Sequence, residues 1–167
     1  MSESAQVDVE AYLIAQFTAT MGSGSSYTTL KARDVVAMAM RDVMQWDAWA
    51  TAGTLPIIVI EGHQTRYDPG PHGDGIVRNK VEFIYTAICL LQGVEATVER
   101  DAKIMLKRTV KALLGIRSNI TATDGETIEC IPELRAGDVI IHPRVCSNGK
   151  YFAYSVVGFT LKGIARE

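Results

Sequence analysis

The densest collection of chemistry-bearing residues in the chain is "GHQTRYDPGPHGDG", residues 62–75, with two of the three histidines, two aspartates and four glycines. His63, Asp68, His72 and Asp74 are of the types that ligate zinc or iron. Their spacing, H-x4-D-x3-H-x-D, matches no metal motif with a mechanism behind it, and a Gly/Pro-rich loop offers nothing to orient the ligands. A small intracellular metal-dependent enzyme using this loop is the reading against which others are weighed. Motif-free His and Asp in loops are more often polar turn residues or contacts to a partner.

Covalent chemistry is no better supplied. There is no G-x-S-x-G elbow, and Cys89 and Cys146 lie in strand-like patterns that predict burial. His142 in "VIIHPR" has no placed acidic partner, which makes it a strand-end histidine rather than a general base. "MGSGSS" lacks the G-x-x-x-x-G-K-[ST] pattern and follows a helix, so it is not a phosphate loop. The expectation is a protein with no catalytic group, cofactor or metal.

Composition narrows the partners. A formal net charge of −2 gives no broad pull toward nucleic acid, and the closest thing to a basic stripe, Lys103, Lys107, Arg108, Lys111 and Arg117, is diluted by Glu99 and Asp101. The longest apolar runs, "PIIVI" and "FIYTAICLL", fall short of the roughly 20 residues a membrane helix needs. The opening "MSESAQVDVE" lacks the basic and apolar regions of a signal peptide. Cys89, Cys130 and Cys146 share no CxxC spacing and read as buried free thiols of a reducing compartment. The expectation is a soluble, intracellularly made protein that contacts neither a membrane nor a specific nucleic acid.

The elements that would position these residues follow from periodicity. Val9, Leu13, Ile14 and Phe17 predict a helix over 5–19, ended by the Gly/Ser-rich "TMGSGSSYTT". Leu30, Val36, Met40, Val43 and Met44 predict a second helix over 30–50. Ile57 to Glu61 reads as a buried strand, the 62–75 segment as a loop, and residues 77–91 as one long strand. In that long strand Val77, Val81, Phe83 and Tyr85 face one way and Arg78, Lys80 and Glu82 the other, while both faces are apolar from Ile84 on. Its first half is therefore expected half exposed, carrying the loop at its tip as an arm.

"EATVERDAKIMLKRTVKALLG" predicts a helix with Val98, Ala102, Met105, Leu106, Val110, Leu113 and Leu114 on its apolar stripe and Gly115 as its stop. "ETIECIP", "GDVIIHPRVC" and "KYFAYSVVGFTLKG" read as three strands, the last two joined by a tight turn at Asn148-Gly149. The order α, α, β, β, α, β, β, β predicts an α+β domain: one mixed or antiparallel sheet, two to three helices packed on it, and a long hairpin arm.

This organisation of an N-terminal helix, "LPIIVIEG", a hydrophilic loop, "VRNKVEFIYTAICLL", an amphipathic helix and a closing "FAYSVVGFTLKG" resembles the tail terminator proteins of long-tailed bacteriophages over most of residues 30–164. The resemblance implies a structural virion protein, made in the host cytoplasm, that forms a homo-oligomeric ring, typically hexameric in that family, on the head-proximal end of the tail tube. Such a ring ends tube growth and gives neck or head-completion proteins a docking surface; other neck or tube-associated subunits are the nearest alternative. The implied partners are copies of itself, the tail tube protein, a neck protein and, in contractile tails, the sheath protein. Residues 1–29 exceed the smaller family members and are set apart as a helix and connection that could serve as a contact arm, with 30–167 as the single domain. Strand edges and loops add readily to neighbouring sheets, which makes Arg66, Tyr67, Asp68, His72, Asp74, Arg78 and Lys80 the candidate interface residues.

Overall fold

A computed structural model describes residues 5–37, 48–50, 52–53, 55–69, 78–116, 120–121, 127–145 and 149–166. Helix α1 spans Ala5–Met21 and places Val9, Leu13, Phe17 and Met21, four residues apart, on one fully buried stripe. The chain then folds back over its own last turn, where the Gly22 N–H reaches the carbonyls of Phe17 and Thr18 at 3.1 Å. A Cβ at Gly22 would lie 3.0 Å from the Thr18 backbone, so the close approach requires glycine.

Strands β1 (Asp34–Ala37), β2 (Ile57–Pro69), β3 (Arg78–Gly93), β4 (Ile120–Thr121), β5 (Thr127–Val145) and β6 (Tyr151–Arg166) form one sheet in the order β1-β2-β3-β6-β5-β4. The β1–β2 pair is parallel and every other pair antiparallel, so the sheet is mixed and the fold is α+β. Helix α2 (Glu95–Leu114) follows β3 and packs on β3, β6 and β5, with α1 beside it.

Alternation along the strands builds the core. Ile58 and Ile60 of β2, the odd-numbered positions from Val81 to Leu91 of β3, and Ala153, Val157, Phe159 and Leu161 of β6 share one buried cluster with α1 and with Val98, Ala102, Met105 and Leu113 of α2. Tyr85 stacks on Phe159 with ring centroids 5.8 Å apart. Beneath α2, Thr109 Oγ1 donates to the Met105 carbonyl at 2.8 Å and lies 3.2 Å from Cys89 Sγ. A second cluster on the opposite face joins Ile57, Leu90 and Phe152 to Ala50 and Leu55.

Several expectations need correction. Residues 30–37 are not helical: Leu30 has φ 53°, and Asp34–Ala37 pairs in parallel with Ile57–Ile60. The apolar spacing that suggested a helix is overridden by tertiary bonds, Ala32 N–H to Met21 O and Arg33 N–H to Pro56 O, which hold the segment extended. Residues 48–50 are helical, and 38–47 lie outside the described residues. The predicted loop begins eight residues too early, since Gly62–Pro69 continues β2. Its glycine and polar content is accommodated by a bulge between Gly62 and Gln64 and by register-for-register pairing with β3.

The strand pattern on either side of "LRAG" is one 19-residue strand rather than two, because the extra residue is taken up as a bulge between Leu134 and Ala136. Leu114 is 48% exposed instead of lying on the buried stripe, as the stripe has rotated past the sheet at the last turn of α2. Thr109 and Ala112 belong to that stripe in addition to the residues named from periodicity.

Candidate functional site

The arm is a hairpin of two long strands. β3, at 16 residues, runs about 50 Å at ~3.3 Å per residue, against about 30 Å for the 20-residue α2. The helix-side face remains apolar as far as Val81 and Leu161, both buried. The opposite face changes character along its length, from the Ile57–Leu90–Phe152 cluster at one end to polar and charged groups toward the hairpin tip.

On that outer face a row of alternating charge crosses the strands. Arg66 on β2 sits opposite Glu82 on β3, and Glu82 opposite Lys162 on β6. Lys162 Nζ is 4.0 Å from the Glu82 carboxylate and 2.5 Å from Glu133 on β5. The hydrogen bond to Glu133, and then its charge, hold the Lys162 ammonium above the ordinary lysine range. Ile84 and Thr160, on the same face, are buried. Opposite charges at directly paired positions favour this register, and their exposure keeps each pair weak.

Two strand edges are open among the described residues. β1 covers β2 only through Ile60, so Glu61–Pro69 has β3 as its single neighbour. β4 covers only Thr127 and Ile128, which leaves Glu129–Val145 of β5 with β6 alone. These edges lie on opposite sides of one sheet. Pro132 and Pro143 both fall on β5, as expected of an edge strand, since proline has no N–H to donate to a ladder.

The predicted interface residues fall as follows. Arg66 is exposed on β2 opposite Glu82; Tyr67 is at the register of Val81, Asp68 at that of Lys80, and Arg78 at that of Arg166. His72 and Asp74 lie outside the described residues. Asp68 and Lys80, twelve residues apart in the sequence, thus occupy paired register positions on the two strands. Glu133 and Lys162 were missed, because only the strand pairing places Lys162 beside Glu82 and Glu133 beside Lys162; Arg135, on β5, was missed as well. The Arg135 guanidinium lies 3.5 Å from where a Cβ of Gly158 would be, so the absence of a side chain there makes room for it.

The candidate metal ligands do not assemble as far as they are described. The His63 ring nitrogen Nε2 is 2.6 Å from Thr86 Oγ1, and Asp68 is paired in register with Lys80. Among the described residues no group of three His, Cys, Asp or Glu is arranged to hold a metal. Cys89 is buried, and desolvation pushes its thiol above the ordinary range despite the hydrogen bond with Thr109. Cys130 lies on β5 and Cys146 outside the described residues. No helix of the described chain is long and apolar enough to cross a membrane. No protein-family model and no curated protein matches the chain.

Proposed function

We propose that the chain is a non-enzymatic structural subunit of a phage virion, a tail terminator that closes into a ring of six copies on the head-proximal end of the tail tube. The observation that carries this reading is a pair of strand edges, Glu61–Pro69 of β2 and Glu129–Val145 of β5, which are open among the described residues and lie on opposite sides of one sheet. A closed ring repeats one heterologous contact, which demands two different complementary surfaces on each subunit. Two strand edges facing away from each other meet that demand, because the outer backbone groups of one can continue the sheet of the next.

Charge on the arm supports the same reading. Arg66, Tyr67, Asp68, Arg78 and Lys80 lie on the paired strands of the hairpin, and His72 and Asp74 belong to the connection between them. These seven residues are the proposed contacts to the neighbouring subunit, to the tail tube protein or to a neck protein, with a sheath protein as a further partner in a contractile tail. The bulge beside Gly62 and the prolines of β5 discourage indiscriminate edge pairing, which suits a subunit that must remain dispersed until a tube offers its end.

The test is location. Particles built with a chain carrying a small label should show, by electron microscopy, a ring of label at the head–tail junction. A chain missing from purified particles, or spread along the whole tail, would overturn the proposal.

A further inference from the structure

We infer that a cavity at the foot of the sheet, away from the hairpin tip, binds an anionic group, a carboxylate or a phosphate, carried on an apolar body. The cavity measures about 620 Å³ and lies between the loop after α1, the Leu55–Pro56 turn and the end of β3. That volume is within the range of small-molecule sites. Its described lining has two sides. Lys31 and Arg33, with the hydroxyls of Ser23 and Thr28, make the polar side; Leu55 and Leu91 belong to the apolar side.

The charge balance selects the ligand. No carboxylate is among the described lining residues, and neither Lys31 nor Arg33 has an ion-pair partner among the described residues. The adjacent Asp34 instead accepts the Val35 backbone N–H at 2.9 Å. Two cations at alternate positions of one extended segment, beside two hydroxyl donors, suit an oxyanion: the ammonium supplies a point charge and the guanidinium a planar fork. The apolar side favours ligands in which that oxyanion carries a hydrocarbon group.

The wall that carries the cations is built to stay in place. Arg108 lies 3.7 Å over the Tyr27 ring and donates to the carbonyls of Thr29 at 2.8 Å and Leu30 at 3.2 Å. Ala32 and Arg33 are tied by their backbone N–H groups to Met21 and Pro56 at 2.9 and 2.8 Å. Leu30 is thereby kept at φ 53°, a conformation leucine rarely adopts and that persists only where surrounding contacts impose it. A segment tethered at Tyr27, Thr29, Leu30, Ala32 and Arg33 loses little further freedom when a ligand arrives.

Calorimetric titration of the full-length protein with hexyl phosphate, hexanoate and the blocked tripeptide Leu-Glu-Leu tests this. At least one probe should bind at a single saturable site, and 1-hexanol and inorganic phosphate should each bind at least tenfold more weakly than that probe. The double variant Lys31→Gln, Arg33→Gln changes residues that are not buried and should fold with unchanged thermal stability while losing at least tenfold in affinity. Tighter binding of the tripeptide than of hexanoate would assign the anion to a protein partner, and the reverse to a free organic acid. Absence of saturable binding by all three anions, or equal affinity in the double variant, would overturn the inference.

Discussion

Cys89 and Arg66 represent the two kinds of residue that matter here, one buried and one exposed. Burial raises the Cys89 thiol, so the folded chain keeps it neutral after the unfolded chain has begun to ionise. The associated stability is complete at neutral pH and is lost as pH rises beyond the ordinary thiol value of about 8.5, by at most about 1.4 kcal/mol per pH unit. Urea unfolding at pH 7 and pH 10 should therefore show a smaller alkaline loss for Cys89→Ala than for the parent; equal losses would remove Cys89 as the cause. Arg66 is exposed and faces Glu82 across the hairpin, so Arg66→Glu should cost the monomer no more than about 1 kcal/mol. If the arm makes the ring contact, the same reversal should weaken assembly about tenfold or more, corresponding to ~1.4 kcal/mol, in sedimentation experiments. Lys80 and Glu82 were legible from alternation as the polar side of β3, whereas Arg66 and Asp68 were legible only as polar residues of a segment read as a loop. The row that joins Arg66, Glu82, Lys162 and Glu133 was not legible, because residues up to eighty positions apart meet only through strand register.

Among the elements, α1, α2, β3 and β6 could be read directly, since each buries a stripe whose period matches its backbone. Phe17 marks the outcome for α1: it is 1% exposed in the main core, which makes residues 5–21 part of the domain's packing. Phe17→Ala should cost about 3–5 kcal/mol in denaturant unfolding, and a loss below ~1 kcal/mol would mean that α1 is peripheral. β1 was illegible because four residues with two buried or half-buried valines fit a helix as well as a strand, and the deciding bonds come from Met21 and Pro56. The outer half of β2 was illegible for a different reason: its order comes from the β3 ladder rather than from burial of its own side chains. The turn before β6 was marked by Asn148-Gly149, and Gly149 does take a positive φ of 77°. Gly149→Ala should therefore lower stability by about 1 kcal/mol, read from thermal unfolding.

Across the sheet as a whole, both edges are open among the described residues, and an isolated subunit with such edges leaves their outer backbone groups to water. Closing a ring would pair them, so amide exchange in Glu61–Pro69 and Glu129–Val145 should slow on assembly while the α2 amides change little. The most direct test is the native mass of the purified full-length protein, measured alone and after addition of tail tubes. The account predicts a discrete closed oligomer, six copies of the 18.2-kDa chain, either free or bound at tube ends. A chain that remains a monomer under both conditions would contradict it.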